Sequence, residues 1–136
     1  MKLTRCTLLC TAALALAIAQ SASGPLISNL ATAKWDHDKD GDSVVLHADE
    51  KTGALDLLVR FPAGHVIAPH SHDSNERIIV VEGDLVLRED TGEKVIHAGG
   101  YAWLPAKQVQ RLSCSSAGRC TFYLSWDGSP KSHPAQ

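Results

Sequence analysis

Between Ser43 and Trp126 the apolar residues come in short runs, each stopped by glycine, proline or a small polar cluster. VVLHA, ALDLLVRF, RIIVV, LVLRE, KVIHA, YAWLP, QVQRL and RCTFYLSW succeed one another in this way, with turn formers such as KTG, PAG, EGD and DTGE between them. ALDLLVRF alternates, with Leu55, Leu57, Val59 and Phe61 on one face and Asp56, Leu58 and Arg60 on the other. No helical period is sustained over several turns. Such runs are too short to bury the face of a helix but suit strands, whose side chains alternate. The pattern predicts an all-β sandwich or barrel. A lead-in of small and polar residues precedes it, and DGSPKSHPAQ follows as an extended tail.

The 136 residues suit one domain. The start of the chain reads as a removable leader. Lys2 and Arg5 precede the apolar run TLLCTAALALAIA, and small residues follow in AIAQSASG. The run is short for a bilayer span. The expectation is a signal peptide over residues 1–23, cut after Ala19 or near Ser23, and a single domain over 24–136 that is secreted or periplasmic. Removing Lys2 and Arg5 takes the net charge from -2 to about -4. An acidic chain does not suit nucleic acid, and nothing points to a membrane role after processing.

Cys6 and Cys10 leave with the leader, so the mature chain keeps Cys114 and Cys120. Two cysteines around SSAGR in an exported chain predict a disulfide across the base of a hairpin loop. A metal pair or two free thiols are the alternatives.

GHVIAPHSHDSNERIIVVEG, Gly64 to Gly83, carries the chemistry. On a strand, His70 and His72 would share a face. DSN can turn the chain so that Glu76 reaches the same point. Two imidazoles and a carboxylate on one side bind a divalent transition metal (Fe, Mn, Zn, Ni or Cu) and leave positions open. His37, His47, His65 and His97 read as surface polar residues.

Gly64, His70, His72, Glu76 and Gly83 match the first cupin motif, G-x5-H-x-H-x3-E-x6-G, at every specified position. The second motif, G-x5-P-x-G-x2-H-x3-N, is kept at Gly99 and Pro105 but has Lys107, Gln110 and Cys114 at its glycine, histidine and asparagine positions. From about Trp35 to His133 the chain thus resembles the cupin superfamily. With RFPAG ahead of the motif and CTFYLSWDG after it, it looks like small secreted single-domain cupins of the ChrR-like or DUF4437-like sort. The resemblance implies an antiparallel jelly-roll barrel with a metal near the centre of its bowl, Ile78 to Val81 as a strand packed between the sheets, and a homodimer.

The glutamine at position 110 leaves three readings open. His70, His72 and Glu76 suffice with Gln110 as a weak or water-mediated ligand, or metal affinity is reduced, or the site is a metal-free polar pocket. Strand parity makes Arg60, Tyr123 and Trp103 candidates to face a substrate, Arg60 for an anion and Tyr123 as a proton donor. No serine or cysteine nucleophile with a base presents itself. DHDKDGD opens like a calcium loop, but His47 stands at its closing position, so a solvated acidic turn, insensitive to loss of Asp38, is the expectation. Two functions remain: a metal-dependent enzyme on a small molecule, of dioxygenase, isomerase or lyase type, or a non-catalytic module binding a small ligand or metal.

Overall fold

The computed structural model describes Ile27 and residues 29–135, so the expected leader lies outside the described residues. After a single 3-10 turn at Leu30–Thr32 the strands are β1 (Asp36–His37), β2 (Asp42–Ala48), β3 (Leu55–Phe61), β4 (Val66–His72), β5 (Glu76–Glu82), β6 (Asp84–Glu89), β7 (Gly92–His97), β8 (Tyr101–Leu104), β9 (Gln110–Cys114), β10 (Cys120–Trp126) and β11 (Ser132–Pro134). They form a six-stranded sheet in the order β1-β2-β3-β10-β5-β8 and a five-stranded sheet in the order β11-β4-β9-β6-β7. The pairings are antiparallel, and the two sheets make the expected jelly roll. Among the described residues no helix is long and apolar enough to cross a membrane.

The core lies between the sheets. Val59, Ile78, Val80, Phe122 and Leu124 come from one sheet, Leu85 and Leu112 from the other. RIIVV is not buried on both faces. Ile78 and Val80 are sealed, while Ile79 and Val81 remain more than 40% exposed on the outer side. A sheet with one face in the core buries alternate residues of an apolar run and no more. Leu58, on the outer face, is nevertheless buried, in register between Val44 of β2 and Tyr123 of β10.

Cys114 and Cys120 form the expected disulfide, with Cα atoms 5.6 Å apart. It does not close a hairpin. Cys114 ends β9 of one sheet and Cys120 opens β10 of the other, so the bridge staples the two sheets. Near it, Gly83 turns the chain from β5 to β6 at φ +73°, and a Cβ there would lie 2.2 Å from the Arg119 carbonyl oxygen. Only glycine allows that approach.

Two sequence expectations change here. The tail is not free. Ser132–Pro134 adds an edge strand to β4, with Ser132 opposite His72 and Pro134 opposite His70. The acidic segment is the β1–β2 hairpin, and the Asp38 carboxylate accepts the backbone N–H groups of Asp40 at 2.7 Å and Gly41 at 2.9 Å. The segment is an exposed acidic turn as expected, but Asp38 shapes it, so loss of Asp38 is predicted to cost some stability rather than to be neutral.

Candidate functional site

β4 and β5 place the first-motif residues at one end of the space between the sheets. His72 closes β4 and Glu76 opens β5, after the short turn at DSN. β9 brings Gln110 in from the five-stranded sheet, in register with His70. His72, Glu76 and Gln110 are all buried.

Each histidine is oriented by its backbone surroundings. His70 Nδ1 lies 2.8 Å from the Ala68 carbonyl oxygen and His72 Nδ1 2.7 Å from that of Pro130. A carbonyl only accepts, so Nδ1 carries the proton in both rings, and Nε2 keeps the lone pair that a metal would use. Burial, the largest influence, pushes the pKa of His72 below its ordinary value and keeps the ring neutral.

The Glu76 carboxyl is pushed up to about 7 by burial, and its hydrogen bond with the Gln110 side chain offsets only part of that. His72 Nε2 lies 3.6 Å from Glu76 Oε2, and the rings of His70 and His72 meet edge to face at 4.8 Å. Glu76 Oε2 and Gln110 Oε1 are buried without any hydrogen-bond partner. Orphaned buried oxygens are costly.

The donor set therefore fits a divalent cation in kind: two imidazole nitrogens, a carboxylate and an unpartnered amide oxygen. In separation it is looser. Among the described residues no three or more His, Cys, Asp or Glu side chains have the geometry of a metal cluster. Gln110 also lines a cleft of about 430 Å³ between the β6–β7 turn and the segment entering β9, together with Leu104, Gln108 and Arg111.

The other candidates lie elsewhere. Tyr123 is on the outer face of the six-stranded sheet and donates to Asp56 Oδ1 at 2.7 Å. Arg60, on the same face, holds Asp42 at 2.7 Å and stacks on Trp35 at 4.2 Å. Trp103 is half exposed on β8, opposite Arg77. Inward places on β3 and β10 go to Val59, Phe122, Leu124 and Trp126, so the parity that buries these turns Arg60 and Tyr123 away from the bowl. His37 and His97 pair with Asp42 and Asp84, as surface residues do, whereas His65 is partly buried and stacks on Phe61 at 4.5 Å.

Sequence reasoning missed three contributors. Trp126, inward on β10, has its ring 5.2 Å from that of His72. Pro130, in the supposed tail, orients His72. Asn75 accepts the backbone N–H of Ala106 at 3.0 Å, tying the turn before β5 to the loop before β9. For Trp126 alone a signal existed, since it continues the alternation of Phe122 and Leu124.

A two-sheet antiparallel jelly roll, with the residues of the HxH motif and its glutamate at one end of the interior, defines a single-domain cupin. The chain belongs to the ChrR Cupin-like domain family, which it matches over residues 24–128. No curated protein matches it.

Solved structures share the fold at low identity. A candidate acetylacetone dioxygenase from Methylibium petroleiphilum PM1 is 18% identical at a TM-score of 0.69, covering 86% of this chain and 85% of that one. The polyketide cyclase RemF from Streptomyces resistomycificus is 16% identical at 0.66, covering 81% and 84%. A protein of unknown function with a cupin-like fold from Ralstonia eutropha JMP134 is 19% identical at 0.59, and the match covers 65% of this chain but only 56% of that one.

Proposed function

We propose that the chain is an exported cupin that binds a divalent transition metal, Fe, Mn, Zn, Ni or Cu, through His70, His72 and Glu76, and acts as an enzyme on a small molecule. The observation that carries this reading is the pair of unpartnered buried oxygens, Glu76 Oε2 and Gln110 Oε1, beside two histidines whose Nδ1 atoms are already engaged. Gln110 is the weak or water-mediated fourth donor. A bound ion would supply Lewis-acid stabilisation of negative charge on substrate oxygens. The chain's own residues do the rest. Pro130 and Ala68 hold the two rings in one tautomer, Leu104 stands opposite Glu76 in register, and the cleft that Leu104 and Gln110 line is the route by which a small substrate would approach.

The dioxygenase reading is favoured by the two-histidine, one-carboxylate composition and by the similarity to a candidate acetylacetone dioxygenase. Elemental analysis of purified wild type beside His72→Ala tests the metal. Stoichiometric metal in the first and little in the second is expected, and wild type that refuses all five ions refutes the reading. Oxygen uptake by the Fe(II)-loaded protein with acetylacetone then tests turnover. Tight binding without consumption would make the chain a binding module instead.

Export is supported by the sequence of residues 1–23, by a family match that begins at residue 24, and by the disulfide. N-terminal sequencing of the exported protein should find Gln20 or Gly24 first. A homodimer is supported by Ile79, Tyr101 and Trp103, exposed together on the outer face of β5 and the edge strand β8. Light scattering of wild type beside Trp103→Glu checks it, with dimer expected in the first and monomer in the second.

A further inference from the structure

Trp126 is 5% exposed, and its indole N–H has no hydrogen-bond partner. It stands opposite Glu76 in the β10–β5 register, with its ring 5.2 Å from that of His72. Glu76 and Trp126 are thus register neighbours, one with an orphaned acceptor and the other with an orphaned donor, and they do not satisfy each other. A cation would satisfy the orphaned oxygens of Glu76 and Gln110. It cannot satisfy an N–H, which only donates. The buried donor calls for an acceptor atom that the chain does not supply.

We infer that Trp126 Nε1–H is the ligand-orienting donor of the bowl, and that it binds an acceptor oxygen of a small carbonyl or carboxylate compound held beside the His70, His72 and Glu76 group. This rests on the metal-site reading above and adds the class of ligand and the residue that positions it. The indole carries no titratable proton in the working range, so it orients and does not transfer. Leu55 stands opposite Trp126 in register and the indole is buried in the apolar core, where one hydrogen bond counts for more than it would in water.

The test uses the zinc-loaded protein and acetohydroxamate as the oxygen-bearing probe. The chain has three tryptophans, so three indole N–H resonances are expected, and Trp126→Phe identifies one by its loss. On adding the probe, that resonance should move downfield in the wild type. Trp126→Phe should keep its zinc and bind the probe about tenfold more weakly, the effect of one lost hydrogen bond. An unmoved resonance with equal probe affinity in zinc-loaded wild type and variant overturns the assignment but leaves the metal site standing. It would mean that the N–H rests against the π face of His72. Wild type that takes up no zinc overturns both readings. If Trp126→Phe fails to fold, the remaining assignments come from Trp35→Phe and Trp103→Phe, and the shift in the wild type decides.

Discussion

The backbone N–H of Lys107 donates to the carbonyl oxygen of His72 at 2.8 Å. Lys107 stands where the second cupin motif has glycine, and it has φ +65°, the one positive φ at a non-glycine residue among those described. The glycine is gone but its backbone conformation remains. The conformation is kept because this N–H, with the Asn75 contact to Ala106, fastens the loop before β9 to the turn between β4 and β5. That fastening sets Gln110 against Glu76.

Lys107→Gly should therefore preserve the site and stabilise the protein by about 0.5 kcal/mol, since relief of left-handed strain exceeds the entropy glycine adds to the unfolded chain. Lys107→Val should cost about 1–2 kcal/mol, because a β-branched side chain tolerates positive φ worst. Urea denaturation of the three proteins gives the order.

Gly64 and Gly83 bound the first motif and have nearly the same φ, +72° and +73°. A Cβ at Gly64 meets nothing within 4 Å, whereas one at Gly83 meets the Arg119 carbonyl oxygen at 2.2 Å. Gly64→Ala should cost about 1 kcal/mol, the backbone strain alone. Gly83→Ala should cost roughly 3 kcal/mol or more, because the sheet crossover must shift beside the disulfide. Equal melting temperatures for the two variants would contradict this.

The buried Glu76 makes the metal-free protein sensitive to pH. Below pH 4.5 the carboxyl is protonated whether the chain is folded or not, and there is no penalty. Between 4.5 and about 7 only the unfolded chain ionises, so stability falls as pH rises. Above about 7 the loss is complete, at about 3 kcal/mol. His72, pushed down by burial, acts in the opposite direction, losing stability as pH falls below 6.5. The difference between wild type and Glu76→Gln isolates the glutamate. It should grow from pH 4.5 to 7 and then level off in denaturation curves taken without metal.

The disulfide closes a loop with a sequence separation of 6. The Cys114→Ala, Cys120→Ala double variant should lose about 2 kcal/mol, the value for so short a loop. Both cysteines are buried, so mild reductant should act slowly on the native protein and quickly in urea. Thiol titration with and without denaturant measures this.

Much of the fold was legible because strands carry it in their alternation. The parity of ALDLLVRF held as read, with Leu57 and Val59 toward the core. The first motif was legible as spacing, since i and i+2 on a strand share a face and a short turn returns the glutamate. Arg60 and Tyr123 were misjudged because parity states only that a residue opposes its neighbours. Which face is the interior depends on where the second sheet packs. Pro130 and β11 were invisible because the tail has too few apolar residues to announce a strand. Pairing with β4 makes it one.

By itself, then, the amino-acid order determined the all-β class, the strands and turns between Ser43 and Trp126, the cysteine pair and the HxH-to-glutamate spacing, because each depends on residues near one another along the chain. Tertiary packing alone decided that the disulfide joins two sheets, that Gln110 meets Glu76, that Trp126 enters the bowl and that Arg60 and Tyr123 stay outside. Those outcomes depend on the register and stacking of strands far apart in the chain, which are fixed only when the whole core closes.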